Sequence, residues 1–136
     1  MGVIEGDRAL GDNDWEKLRN QGDDAVKRWI DKQMVGKSVV VVLIGARTAG
    51  RKFVQYEISR GWDNGMGVFG IYVHNLLDRD LKQSAQGRNP FEKAGLSNIV
   101  KAYNPPYSIS KNVYGNISES LSDWAEEAIN IRKKYV

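Results

Sequence analysis

Glu57 stands where a carboxylate needs an explanation. In the run Arg51 to Arg60, Phe53, Val54 and Ile58 are the large apolar side chains besides Tyr56, so they must face whatever this segment packs on. Position 57 falls four residues after Phe53 and three after Val54, on the same side of a helix. A carboxylate there is partly desolvated and costs free energy unless it is paired. Two readings stand open. Either Glu57 forms an ion pair with Arg47, Arg51 or Arg60 at the edge of the stripe, or it is a functional acid whose surroundings belong to its chemistry.

The residues just upstream invite a different chemistry. Gly45-Ala-Arg-Thr-Ala-Gly50, followed by Arg51 and Lys52, has the outline of a phosphate-binding loop. That loop needs Lys directly after the second glycine and then Ser or Thr, and Arg51 and Phe53 occupy the wrong places. A nucleoside triphosphatase is excluded. A glycine-bounded turn running into a helix N-terminus can still accept an anion. His74 is the single histidine and there is no cysteine. A histidine-based metal cluster, a thiolate zinc site, a disulfide and a cysteine nucleophile therefore all drop out. At the end of a strand His74 could touch a ligand, although a surface position is the commoner fate of such a residue.

The elements that must position these residues follow from periodicity. Val39 to Ile44 is six consecutive apolar residues, four of them valine, which indicates a strand covered on both faces. A helix over about Arg51 to Arg60 follows the glycine turn, and Gly61 with the Asp63 to Gly67 cluster is expected to end it. Val68 to Val73 is a second apolar strand. Strand, helix and strand with short connections predict a parallel unit whose ligand side lies at the carboxyl ends of the strands. The loops Gly45 to Gly50 and His74 to Asp78 should border that side.

Earlier in the chain, Asn13 and Glu16 suit a capping box opening a helix that runs to Asn20. Asp23 and Asp24 open a second helix, with Ala25, Val26, Trp29, Ile30 and Met34 as its apolar stripe. Beyond Leu76 the pattern weakens; Ser97 to Tyr103 could hold a short strand before Pro105-Pro106. Asn116 and Glu119 suggest another capping box, opening a last helix with Ile117, Leu121, Trp124, Ala125, Ala128 and Ile129 on one face. Trp15, Trp29, Trp62 and Trp124 read as core anchors. No repeat or linker divides residues 1–136, so a single α/β domain is expected.

Bulk properties narrow the function classes. A hydrophobic fraction of 41% and a charged fraction of 27% are those of a globular chain. The net charge of +3 is spread along the chain, which argues against nucleic acid as a partner. The N-terminus shows no apolar signal-peptide core and the longest apolar run is too short to span a bilayer, so a cytoplasmic protein without membrane contact is expected.

Several stretches together are similar to one family. Val41 to Ile58, Gly67 to Asn75, Asp14-Trp-Glu16, Arg28-Trp-Ile30, Gly87-Arg-Asn-Pro-Phe91 and Lys101 to Tyr107 resemble the TIR-like proteins of Thoeris antiphage systems. The resemblance implies a flavodoxin-like, three-layer α/β domain with a parallel sheet. In NAD-cleaving TIR domains a glutamate on the helix after the third strand is catalytic, a few residues beyond an aromatic one. Phe53 and Glu57 match, with phenylalanine where tryptophan is common. The resemblance implies Glu57 as the catalytic residue and Arg47, Thr48, Phe53 and His74 as positions of an NAD pocket. It further implies NAD as substrate with no required cofactor or metal, and a cyclic ADP-ribose-type signal read by a separate effector.

One departure bears on activity. Family members usually begin with a strand of the type Phe-x-Ser-Phe/Tyr that helps form the pocket, and nothing before Asp14 matches it. Val3 and Ile4 are too few for a full strand, so the first strand is expected to be missing here, or supplied by a neighbouring chain in a homo-oligomer. A non-enzymatic signalling module that assembles through its surfaces is therefore the alternative expectation.

Overall fold

The computed structural model describes residues 3–4, 12–77 and 81–135, with the backbone alone at residues 3, 4, 12, 13 and 15. In chain order the elements are β1 (Val3–Ile4), α1 (Asp12–Asn20), α2 (Asp23–Met34), β2 (Val39–Ile44), α3 (Lys52–Asp63), β3 (Gly67–Tyr72), β4 (Ala102–Tyr103) and α4 (Ser110–Lys133). A single 3₁₀ turn, Thr48–Gly50, lies between β2 and α3.

The sheet order is β1-β2-β3-β4. Strands β2, β3 and β4 are parallel, as the valine-rich run predicts, with Val39 opposite Gly67 and Ile44 opposite Tyr72. β2 and β3 therefore end level with each other, and the loops after them open on the same edge. Val3 and Ile4 do pair, in the antiparallel sense, against Val41 and Val40. They form a two-residue edge ladder, which is less than the full strand that the family pattern would place there.

Side-chain alternation divides the core into two layers. Val40, Val42, Ile44, Val68 and Tyr72 face one side and pack with Val26, Ile30, Met34, Val54, Ile58 and Phe91. Val39, Phe69 and Ile71 face the other and pack with Ala128, Ile117, Trp124 and Ile129 of α4. Helices α2 and α3 thus cover one face and α4 the other, which makes a three-layer, flavodoxin-like α/β domain. No helix among the described residues is long and apolar enough to cross a membrane.

Three sequence expectations change. Gly61 does not stop α3, which continues to Asp63. A Cβ at Gly61 would lie 2.6 Å from Val40 Cγ2, so the glycine lets the helix settle onto the sheet. Helix α4 begins at Ser110, six residues before Asn116, so the expected capping box lies inside the helix. Leu121 is exposed, because the buried stripe runs through Val113, Ile117, Ser120, Trp124 and Ala128, and Leu121 falls about 100° away from Ser120. The Asn13 capping side chain and Trp15 lie outside the described side chains. Trp29, Trp62 and Trp124 are half-buried, and Trp124 stacks on Tyr103 at 4.5 Å.

Candidate active site

Helix α3 carries different chemistry on each of its flanks. Lys52, Tyr56 and Arg60 lie on the side of α2: Lys52 pairs with Asp23, while Tyr56 Oη and Arg60 Nε both donate to Asp31. On the opposite flank Gln55 Nε2 donates to the carbonyls of Ala49 and Pro90 at 3.0 and 2.8 Å, tying the helix to the turn after β2 and to the loop before Phe91. Val54, Ile58 and Gly61 face the sheet. Successive residues turn by about 100°, so Phe53 and Glu57 fall between the α2 flank and the sheet face.

Glu57 is 2% exposed and its Oε2 has no hydrogen-bond partner among the described residues. Among the described residues no ion pair reaches it: Arg60 is turned to Asp31, and Arg47 and Arg51 are exposed. The expected pairing with Arg47, Arg51 or Arg60 does not form. Burial raises the Glu57 pKa to about 7, because desolvation disfavours the charged form. At neutral pH the carboxyl is poised between its two states.

The other expected site residues sit at the ends of the strands. Thr48 is buried, and its hydroxyl accepts from Gly45 N at 2.8 Å and donates to Leu43 O at 3.2 Å. It staples the turn after β2, so both its hydroxyl and the Gly45 N–H are already engaged. Arg47 is exposed and has no hydrogen bond or ion pair among the described residues. His74 continues the Tyr72 face of β3, its ring edge-on to Tyr72 at 6.2 Å and its Nδ1 buried without a partner among the described residues. It is half-buried, where a surface position had been the commoner expectation. Arg47 and His74 border the strand-end edge, and Glu57 lies lower, within the helix layer.

A cleft of about 370 Å³ opens beside Phe53, lined by Glu16, Arg19, Asn20, Asp23 and Lys52 as well. Glu57 is not in its wall. It lies one turn further along α3 from Phe53, about 6 Å along the helix axis, on the same flank. The cleft residues were invisible in the sequence because three different helices contribute them. Only the recurrence of Phe53 and Glu57 at a spacing of four could have pointed to it.

Residues 4–78 match the family described as Thoeris protein ThsB, TIR-like domain. This chain belongs to that family. The matched span contains β2, α3, β3 and every expected site residue. The chain is also 35% identical over 81 residues to ThsB1 of Bacillus cereus (strain MSX-D12), a protein named as a proposed cyclic ADP-D-ribose synthase. The alignment covers 60% of this chain and 42% of that relative, so the chain matches less than half of the longer protein.

Proposed function

We propose that this TIR-like domain acts in antiphage defence by cleaving NAD at the nicotinamide–ribose bond, with Glu57 as the catalytic residue. The observation that carries this reading is a buried carboxyl whose Oε2 has no partner among the described residues, one turn below an aromatic residue beside a cleft. A structural acid in that position would be expected to hold an arginine. A catalytic one keeps an oxygen for its substrate.

The chemistry suits the group. As the bond breaks, its electron pair passes to the pyridinium nitrogen, and nicotinamide leaves as a neutral molecule without needing a proton. The ribose C1 becomes cation-like, and an ionised Glu57 in a low-dielectric setting stabilises that charge. A nucleophile then bonds to C1 and loses a proton. Attack by another part of the same ADP-ribose closes a ring; attack by water gives the open product. The name of the Bacillus cereus relative favours the ring. A carboxyl 2% exposed must gain access to the ribose, so the reading requires movement of Phe53 or of the cleft wall above it. Such a cyclic signal would be read by a separate effector.

Nicotinamide release from NAD tests the proposal. Wild type should turn over, and Glu57→Gln should fall by about a hundredfold or more, the scale of losing one preorganised charge-stabilising group. Turnover that survives the substitution would sink the assignment. Activity should also rise with pH through about 7, because the ionised carboxylate is the working form.

A second reading has an observation of its own. Leu77, Leu81, Tyr107 and Ile109 are exposed on two segments joined by Asn75 Nδ2 to Tyr107 O and Gln83 Nε2 to Ser108 O. Apolar side chains displayed on a fixed scaffold favour an assembly module acting through homo-oligomer contacts. Light scattering across concentrations tests it: a monomer at every concentration counts against assembly.

A further inference from the structure

The connection between β3 and β4 is unusual for a parallel pair. Parallel neighbours are ordinarily joined by a helix, yet residues 73–101 contain no helix or strand among the described residues. Phe91, Leu96 and Val100 fill the core where that helix would pack. The stretch before them, residues 83–90, runs across the carboxyl ends of the strands instead. Ser84 N donates to His74 O at 2.9 Å, just beyond the end of β3. A Cβ at Gly87 would overlap the carbonyl oxygen of Gly45, just beyond the end of β2, so the chain lies that close only as glycine. Two glutamines fasten the ends. Gln83 Nε2 donates to Asn75 O and Ser108 O at 2.8 and 2.6 Å, and Gln55 Nε2 donates to Ala49 O and Pro90 O. Gln83, Ser84, Ala85, Gln86 and Arg88 are exposed, so hydrogen bonds rather than apolar burial hold this stretch. That is the profile of a segment that opens locally without unfolding the domain.

We propose that residues 83–90 form a strap that closes the strand-end edge and lifts as one piece to admit the ligand, with Gln55 as its latch. The edge it crosses carries His74 Nδ1, buried without a partner among the described residues, and Arg47, exposed and unpaired among them. These groups suit a polar ligand with negative charge, and taking that ligand to be NAD rests on the reading above. Gln55 is a positioning residue. It sets the fraction of molecules that are open, and the apparent affinity is the intrinsic affinity scaled by that fraction.

Amide hydrogen exchange on the whole chain tests the strap without any ligand. Gln55→Met keeps the length of the side chain and removes both donors. Exchange should quicken about tenfold at Ser84 and Gly45 together, the scale of one or two lost hydrogen bonds. It should stay unchanged at Gly67, whose N–H donates to Ser38 O at the far end of the sheet. Gln83→Met, at the other end of the strap, should quicken the same two amides. If each variant loosened only its nearer amide, the two ends would be independent loops and the strap would be overturned. Equal quickening at Gly67 would mean a destabilised fold and would overturn it too. NAD affinity, by NMR titration, is the ligand arm: Gln55→Met should tighten binding by the same factor by which it quickens exchange. NAD binding that is not tightened would overturn the gate. No NAD binding to either protein would remove the NAD reading, and exchange would still decide the strap.

Discussion

Two glutamates, one on each face of the same sheet, show how differently this fold treats one side chain. Glu127 on α4 accepts from Tyr103 Oη and pairs with Lys101, each at 2.5 Å. The Lys101 contact and then the tyrosine hydrogen bond lower its pKa. Glu57 on α3 is more deeply buried, its Oε2 has no partner among the described residues, and burial raises its pKa. Both helices pack on the sheet through apolar stripes, but Glu57 is 2% exposed and the Glu127 side chain 39%, so burial is the first difference between them. The second difference is that Lys101 and Tyr103, at β4, reach Glu127, while no ion pair to Glu57 forms among the described residues. A family that needed α3 only for packing would gain from a neutral side chain at position 57.

That contrast breaks first under Glu57→Gln. Removing the charge should abolish turnover and also stabilise the fold at alkaline pH. A raised carboxyl pKa means that the folded state binds the proton more tightly than the unfolded one. Its contribution is fully present below the unfolded value near 4.5 and is lost as pH rises through about 7. The loss amounts to about 3 kcal/mol, set by the difference between about 7 in the folded state and about 4.5 in the unfolded one. Glu57→Gln should therefore melt several degrees above wild type at pH 8 and near it at pH 4, by thermal denaturation at both pH values. A variant less stable than wild type at pH 8 would mean that Glu57 has a partner that supports the fold.

The two layers can also be compared by how each helix is docked. At Gly67 on β3 an added Cβ would lie 2.7 Å from Ile129 N and 2.8 Å from the Ala128 carbonyl carbon, which are backbone atoms of α4. At Gly61 it would meet a side chain, Val40 Cγ2, at 2.6 Å. Backbone yields less readily than a side-chain methyl. Gly67→Ala should cost about 3 kcal/mol and Gly61→Ala about 1 to 2 kcal/mol, measured by urea unfolding. The reverse order would show that α4 is held more loosely than α3.

The parts of the fold with strong local signals were legible in the sequence. β2, β3, α2 and the apolar face of α3 follow from valine runs and from residues recurring at helical spacing. β4 was legible only as a short strand somewhere in Ser97 to Tyr103, because its two residues, Ala102–Tyr103, become a strand only through the neighbour, as in Gly70 N donating to Lys101 O. The start of α4 was hidden because Ile109 precedes it without a capping side-chain hydrogen bond, while Asn116 only looks like a cap. Gly61 read as a stop because a glycine's contact with Val40, 21 residues upstream, leaves no mark on the residues around it. At the site, periodicity found Glu57 but not its isolation. That depends on Asp31 of α2 drawing Arg60 away, a choice made between elements 29 residues apart.

The smallest effect should come from the satisfied carboxylate. Glu127 is 39% exposed at its side chain, so its pairing with Lys101 is partly screened by solvent. Tyr103 sits deeper, stacked on Trp124 and edge-on to Phe69, and its hydroxyl would lose a charged acceptor. Glu127→Gln keeps an oxygen to accept from that hydroxyl, so about 1 kcal/mol or less should be lost, by urea unfolding at pH 7. Here the pH dependence has the opposite sign to that of Glu57. A lowered carboxyl pKa stabilises above the unfolded value near 4.5 and fades as pH falls through the folded one. The gap between wild type and Glu127→Gln should therefore narrow in acid, whereas the gap for Glu57→Gln narrows there from the other side. If, as pH rises, wild type gained stability relative to both variants, or lost it relative to both, the two glutamates would not be in the opposite environments described.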